Sequence, residues 1–498
     1  MMPPHQPLRT IRLVAVPMLV LVLAGSAAGQ RADDEQASRR FTTGLEFARD
    51  GRYREALTDF EAVVERFPAS PVADNALLEI ARYYLEVAAD LDQAAEYARR
   101  IVDAAEYSQQ DAAPEAYIVL ARADMARGRA SEDLDAALAQ LERGLGIWPD
   151  SPMVPQSRFF IGDANRRAGR FAEALEAYDR VTAEHAETVW AARARLDAAV
   201  LRAINGDPVT AMSELQQVRD DWPDSPEAET ALERVTILYR LYVRPGERAF
   251  ATAGDSFSTR GRPRIEQLLV TREGQTFFAN SAGVGAIDPA AAVLAPAGGR
   301  PRGLVLDRRG TVLSIVDDAL TAREGPPLRL TLPRAGQEAK PLRELEAAGL
   351  TAAGDWLVMD RSEREIHRFS DTGEYRGVFA SGRVKRLAVG PDDQVAVVDR
   401  DNRVRLLAEG RELREIPREG AGYEIDDPID VALDVFGHLY VGDEKRVFVF
   451  RPDGELLLQF PATDNAPGAP RKITAFTVDR FGRLYIADDD EKQIVRYQ

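Results

Sequence analysis

The stretch from Pro428 to Pro461, PIDVALDVFGHLYVGDEKRVFVFRPDGELLLQFP, sets four short strand patterns within 34 residues and so limits what the chain can become. Apolar residues alternate through Ile429 to Asp434, Leu439 to Asp443, Val447 to Arg451 and Leu456 to Phe460, the period-two signature of strands. Phe436-Gly437 and Asp453-Gly454 supply tight turns between them. A lone four-stranded sheet with two apolar faces is marginal in water, so this unit needs neighbours of its own kind.

The neighbours are present. Asn280, Asp317, Asp360, Asp399, Asp443 and Asp488 each end a second strand, at separations of 37, 43, 39, 44 and 45 residues, a spacing too even for unrelated hairpins. Six markers predict a six-bladed β-propeller over residues 247–498, in which radial repetition covers each sheet with the next. The last copy, Ile473 to Gln498, holds only three strand patterns. Glu247 to Ala253 is therefore predicted to pair beside Ile494 to Tyr497 and close the ring, since an open edge would invite aggregation.

Residues 36–243 carry a different period, with apolar residues three and four apart and loops marked by Gly, Asp and Pro. Gly44, Phe47, Ala56, Phe60 and Pro68 set an interval pattern, small residues allowing paired helices to approach and an aromatic filling the gap. Gly162, Ala174 and Tyr178 keep the same register, as do Ala137, Leu141, Gly144 and Pro149, and Ala211, Leu215, Val218 and Pro223. Ala94, Ala95 and Tyr97 mark a weaker second copy, for five helix pairs in all, with Glu227 to Val243 as a closing helix. At the junctions RFPASPVADNA, IWPDSPMVPQS and DWPDSPEAETA, Ser is expected to cap the next helix and the following Pro to sit in its first turn. The predicted fold class is thus a multidomain α and β chain, an α-solenoid followed by a six-bladed β-propeller.

Composition narrows the function. The net charge is -17, of which -12 falls in residues 1–250, and no Lys/Arg-rich block offers a phosphate stripe, so nucleic acid is not an expected partner. Cysteine is absent, which removes disulfides, thiolate metal sites and a lipid-bearing amino-terminal cysteine. At the start, Arg9 and Arg12 precede the apolar run Leu13 to Ala24 and the small residues Gly25 to Gly29. That order predicts a signal peptide over residues 1–29, a mature chain from about Gln30, periplasmic or secreted location, and no integral membrane segment after cleavage.

The helical repeats resemble tetratricopeptide modules of bacterial envelope proteins, including outer-membrane assembly lipoproteins and Tol-associated division coordinators. That likeness implies a solenoid that binds protein partners, here without the lipoproteins' anchoring cysteine. The blades resemble NHL-type repeats: Asp434, Gly437, Tyr440, Val441, Asp443, Val447, Val449 and Phe450 follow that pattern, as do Asp479, Gly482, Tyr485, Ile486, Ala487 and Asp488.

No phosphate loop, Gly-x-Ser-x-Gly elbow or His-Glu-x-x-His occurs, and His5, His185, His367 and His438 are each expected in a turn or on the surface. The periodic Asp residues are expected to cap their own turns. Six-bladed propellers include metal-dependent lactonases, with ligands near the starts of the inner strands. The corresponding positions carry Glu266, Arg302, Arg343, Arg386, Asp430 and Thr474. Three arginines would repel a cation, so the channel reads as an anion or carboxylate site, or as a salt-bridged plug.

In the solenoid, register places Phe41, Leu45 and Arg49 of the first repeat, Phe159, Asp163, Arg166 and Arg167 of the fourth, and Leu196 and Val200 of the fifth in a concave groove. Phe159 and Asp163 occupy the lysine and asparagine positions of a two-carboxylate clamp, so an apolar peptide or helix is the expected cargo instead of a chaperone tail. The expectation is a scaffold that binds proteins through groove and propeller, without catalysis, cofactor or metal. A lactonase-type hydrolase and an envelope glycan-binding module are the alternatives.

Overall fold

The structure, a computed structural model, describes residues 17–127, 131–244, 249–287, 299–334, 336–461 and 468–498. The chain divides into two compact units, with the boundary between Ala191 and Ala192. The expected signal over residues 1–29 lies partly outside the described residues, and among them no helix is long and apolar enough to cross a membrane.

The first unit is built of antiparallel helix pairs: α1 (Pro17–Arg49) with α2 (Tyr53–Arg66), α3 (Ala73–Glu86) with α4 (Leu91–Val102), α5 (Ala113–Arg127) with α6 (Ser131–Ile147), and α7 (Val154–Arg167) with α8 (Phe171–Glu184). The interval pattern has a direct cause. A Cβ on Gly44 would lie 2.6 Å from the Phe60 ring, and one on Gly162 only 2.4 Å from Tyr178, so glycine alone lets these helices close on the aromatic. In the third pair the roles reverse, with Gly144 of α6 against Tyr117 of α5.

The junctions depart from expectation in detail. Ser225 does cap α11 (Pro226–Leu238), accepting from Ala228 N at 3.2 Å, with Pro226 in the first turn. Ser70 and Ser151, by contrast, precede helices that begin at Ala73 and Val154. Ser151 Oγ accepts from Met153 N at 3.1 Å, so there the Ser-Pro pair makes a turn ahead of the helix.

In the second unit α9 (Val189–Ile204, from Ala192 onward), α10 (Pro208–Asp221) and α11 lead through a π-helical turn, Tyr239–Val243, into the propeller. The first blade comprises β2 (Ile265–Val270), β3 (Thr276–Asn280) and β4 (Gly283–Ala286); the second comprises β5 (Leu304–Leu306), β6 (Val312–Val316) and β7 (Ala319–Ala322). In the second blade a bridge between Leu320 and Leu328 marks the outer edge, followed by a ribbon of β8 (Thr331–Leu332) and β9 (Lys340–Pro341). Blade three is β10 (Leu345–Leu350), β11 (Trp356–Asp360), β12 (Glu365–Phe369) and β13 (Tyr375–Ser381). Blade four is β14 (Val384–Val389), β15 (Val395–Asp399), β16 (Val404–Ala408) and β17 (Arg411–Ile416), trailed by a hairpin of β18 (Glu419–Gly420) and β19 (Tyr423–Glu424). Blade five is β20 (Asp430–Leu433), β21 (Leu439–Gly442), β22 (Val447–Phe450) and β23 (Leu456–Phe460). The sixth joins β24 (Ile473–Val478), β25 (Leu484–Asp488) and β26 (Gln493–Tyr497) to β1 (Thr252–Ser258), and the inner strands β2, β5, β10, β14, β20 and β24 neighbour one another around a closed ring.

The closing strand is thus where ring closure requires it, but shifted. β1 pairs Thr252 with Tyr497 and Ser258 with Gln493, whereas the sequence pattern pointed to 247–253. Residues 247 and 248 lie outside the described residues; Phe250 is 2% exposed and packs edge-on against Phe460 at 5.6 Å. Its side chain belongs to the apolar cluster that contains Ile237, Leu241 and Phe436.

The closing helix is docked on the propeller. Glu233 of α11 bridges to Arg480 at 2.7 Å, Arg240 donates to Phe481 O, and Tyr242 Oη meets His438 Nε2 at 2.9 Å. Gly482, at φ +68°, would bring a Cβ within 3.1 Å of both Ile237 and Arg240, so its conformation and the helix contact both call for glycine. One continuous apolar cluster runs from Leu196, Leu215, Ile237 and Leu241 through Phe436, Tyr440 and Phe460 to Ile473 and Tyr497.

Candidate functional site

In the first unit the predicted groove residues lie on α1 and α7, the first helices of the first and fourth pairs. Phe41 and Leu45 are half-buried, Phe41 lying 5.7 Å from Phe60, and Arg49 is exposed. Phe159 corrects the expectation: it is 2% exposed, with ring centroids 5.6 Å from Tyr178 and 5.2 Å from Trp190. Trp190, at the start of the next pair, covers it and also meets Phe160 at 5.7 Å. Asp163 bonds Arg166 at 2.7 Å and Arg167 at 3.1 Å. Burial alone would raise the Asp163 carboxyl, but the two guanidiniums hold it below its ordinary value.

Sequence register missed the ion pairs that join successive first helices. Arg82 of α3 bonds Glu79 at 2.6 Å and also Glu115 of α5. Arg122 of α5 reaches back to Glu86 at 2.8 Å and lies 5.5 Å from the Phe160 ring of α7, while Arg167 donates to Met125 O at 3.3 Å. No local pattern announces them, because each partner is about one repeat away. In the second unit Leu196 is 5% exposed within the apolar cluster and Val200 is packed against it, so Leu196 is core and not a groove anchor.

In the channel, β-bulges decide which side chains meet. The register shifts between Ile265 and Gln267, Leu345 and Ala347, Val384 and Arg386, and Ile473 and Ala475, just after each of these inner strands begins. An extra residue at a bulge reverses the alternation of faces. The predicted set therefore mixes two registers: Glu266 and Thr474 sit at the bulge, whereas Arg386 and Asp430 occupy paired positions opposite Val398 and Gly442. Arg343 is a correction. It is exposed in the loop before β10, its N–H donating to Asp360 Oδ2 at 3.0 Å, and Glu346 holds the bulge position in that blade.

The charges there are paired. Glu266 binds Arg300, Glu346 binds Arg400, Arg302 lies 3.9 Å from Asp318, and Lys385 Nζ donates to Asn402 at 2.6 Å and faces Asp427 at 3.3 Å. Thr474 Oγ1 donates to Ala487 O at 3.4 Å. Arg386 stands 3.9 Å from Asp430, whose carboxyl is pushed up to about 6 by burial, with Arg386 opposing the rise.

Of the Asp residues that end second strands, Asp360, Asp399, Asp443 and Asp488 are buried and bonded to backbone, whereas Asp317 is exposed. Asp360 Oδ1 accepts from Ser362 N at 2.7 Å, Asp399 Oδ1 from Asp401 N and Arg403 N at 2.9 Å, and Asp443 Oδ1 from Lys445 N at 2.8 Å. Asp488 also reaches the incoming strand, accepting from Arg471 N at 2.9 Å. These four cap their own turns, and Asp360 and Asp488 also tie them to the approach to the inner strand. Among the described residues no group of three or more His, Asp or Glu side chains is placed to hold a metal ion.

Two histidines are less exposed than their sequence context suggests. His438 is in a turn, as expected, but 1% exposed, its Nδ1 2.9 Å from Asp434 Oδ2. His367 is a strand residue, 1% exposed, and neither ring nitrogen has a hydrogen-bond partner among the described residues. Burial holds it below the ordinary histidine value despite Glu365, Asp360 and Glu363. The unfolded chain then binds this proton more readily, so stability is lost as pH falls through the unfolded value of about 6.5. His367→Leu should gain on the parent in denaturant midpoint as pH drops from about 7.5 to 5. A difference that stays constant with pH would reject the assignment.

A family model described as tetratricopeptide repeat matches residues 41–111, 120–188 and 161–226, and the helical region is built of these repeats. Comparison with curated proteins returns no match. Among solved structures, a gluconolactonase from Xanthomonas campestris is 17% identical and aligns over 50% of this chain and 93% of its own, with a TM-score of 0.39. A virginiamycin B lyase from Staphylococcus aureus is 13% identical over 48% of this chain and 82% of its own, TM-score 0.34. A thermophilic TPR protein from Thermus thermophilus is 20% identical over 40% of this chain and 98% of its own, TM-score 0.32.

Proposed function

We propose that this protein is a non-catalytic scaffold of the cell envelope, exported to the periplasm or beyond, whose tetratricopeptide repeats and propeller each bind protein partners. The row of ion-paired arginines on successive first helices carries this reading: Arg82, Arg122 and Arg167 are each held by a group on a neighbouring first helix. A guanidinium fixed in this way keeps donors aimed at a partner and loses little side-chain entropy on binding. Half-buried Phe41 and Leu45 and exposed Arg49 extend the same face at the first repeat. With Phe159 and Leu196 in the core, the partner is a segment of mixed charged and apolar character instead of a purely apolar helix. Export rests on the order of charged, apolar and small residues over 1–29.

Crosslinking from envelope extract with the full chain tests the proposal. A partner captured by the parent should be lost with Arg49→Glu and Arg122→Gln combined, while helicity is kept and the melting temperature falls by no more than about a few degrees, the scale of one exposed ion pair. Capture that is indifferent to both substitutions would overturn the assignment to this face.

A further inference from the structure

The six inner strands pair on one side only, so strand edges wall the axial channel and leave backbone groups to be satisfied by side chains. Gln267 Oε1 accepts from Leu304 N at 2.6 Å, Arg302 donates to Leu345 O at 3.4 Å, and Asp318 accepts from Leu345 N at 3.2 Å. Arg386 and Asp430, on adjacent inner strands β14 and β20, are engaged less completely. Arg386 Nη1 donates to Lys385 O at 2.9 Å, and Asp430 Oδ1 accepts from Val431 N at 3.0 Å. Between the two, Nε and Oδ1 are 3.9 Å apart, beyond hydrogen-bond reach, and the buried Nε has no hydrogen-bond partner among the described residues. The side chains remain 27% and 16% exposed, so part of each faces solvent.

We propose that this Arg386–Asp430 pair is a binding site for a small carboxylate, which replaces Asp430 as the counter-ion of Arg386 while Asp430 takes up a proton. A guanidinium presents donors in a fork that matches a carboxylate, and a half-desolvated one gains more from that bond than an exposed one. Protonated Asp430 is neutral and can donate to the incoming anion. Burial keeps its carboxyl near 6, which makes the proton available close to neutral pH.

Several other charged groups on neighbouring elements have partners. Lys385 on β14 has Asn402 and Asp427, Glu346 on β10 has Arg400, Arg302 ahead of β5 has Asp318, and Glu266 on β2 has Arg300. Asp426, in the loop before β20, has Lys445, and β24 contributes Thr474, which does not titrate in this range. Arg386 is therefore left without a counter-ion when Asp430 is neutral.

The test is a titration of the full-length protein with acetate, followed by isotope-edited NMR and by calorimetry in two buffers of different ionisation enthalpy. Affinity should fall about tenfold per pH unit above about pH 6, with about one proton taken up per acetate. Asp430→Asn should abolish that pH dependence and the proton uptake, and Arg386→Gln should abolish binding. Where Arg386→Gln lowers the melting temperature, Arg386→Lys, which keeps the cation, must retain binding that Arg386→Gln loses. Acetate affinity that is constant between about pH 6 and 8, or that survives Arg386→Gln, overturns the site.

Discussion

A fragment beginning at residue 187, just ahead of α9, should unfold in one cooperative transition, whereas a fragment beginning at residue 246 should melt far lower or aggregate. The shorter fragment keeps every propeller strand, so a boundary drawn from sequence at the last helix would predict no difference. The reason for one lies in the apolar cluster that Val235, Ile237, Leu238 and Leu241 share with Phe436, Tyr440 and Phe460. Fully burying an aliphatic side chain contributes about 1.5–3 kcal/mol, so removing four places roughly 6–12 kcal/mol at risk, before any loss from their exposed aromatic partners. Domain stabilities are only about 5–15 kcal/mol. The same cut removes Glu233, Arg240 and Tyr242, leaving Arg480 without its carboxylate and the buried His438 without its phenol. Thermal unfolding and light scattering of the two fragments decide it, and melting within a few degrees of each other would show the helices to be dispensable.

Phe159→Ala should cost about 3–5 kcal/mol, the usual range for emptying a buried aromatic site. At roughly 2–4 °C per kcal/mol for a domain of this size, its melting temperature should drop by roughly 6–20 °C. The neighbours that make the site are Tyr178, Phe160 and Trp190, with ring centroids 5.2–5.6 Å away. A substitution that weakened partner binding while leaving the melting temperature unchanged would return Phe159 to the groove.

Particular residues show how far sequence reading reached. The helix pairs were legible because Gly44 and Phe60, or Gly162 and Tyr178, lie 16 residues apart in a fixed local geometry that recurs, and the clash a Cβ would make explains each glycine. The last four blades are legible because an Asp such as Asp443 caps a turn two or three residues away. The channel was less so. A bulge after Ile265 or Val384 exists only relative to the partner strand, and a one-residue shift exchanges the faces, so sequence spacing points to Arg343, two residues before its strand begins, and passes over Glu346.

Period, turn chemistry and edge satisfaction act over a few residues or follow from closing a ring, so the repeat units, their number and the need for a strand beside Ile494 to Tyr497 could be read along the chain. Folding in three dimensions was needed to put Phe159 beneath Trp190, to set Arg386 facing Asp430 across a gap, and to dock α11 on the propeller. Tyr242 and His438 meet across 196 residues of chain, and Arg240 and Phe481 across 241. Such contacts depend on the shapes of surfaces that exist only once each repeat has folded, and no periodicity along the chain encodes them.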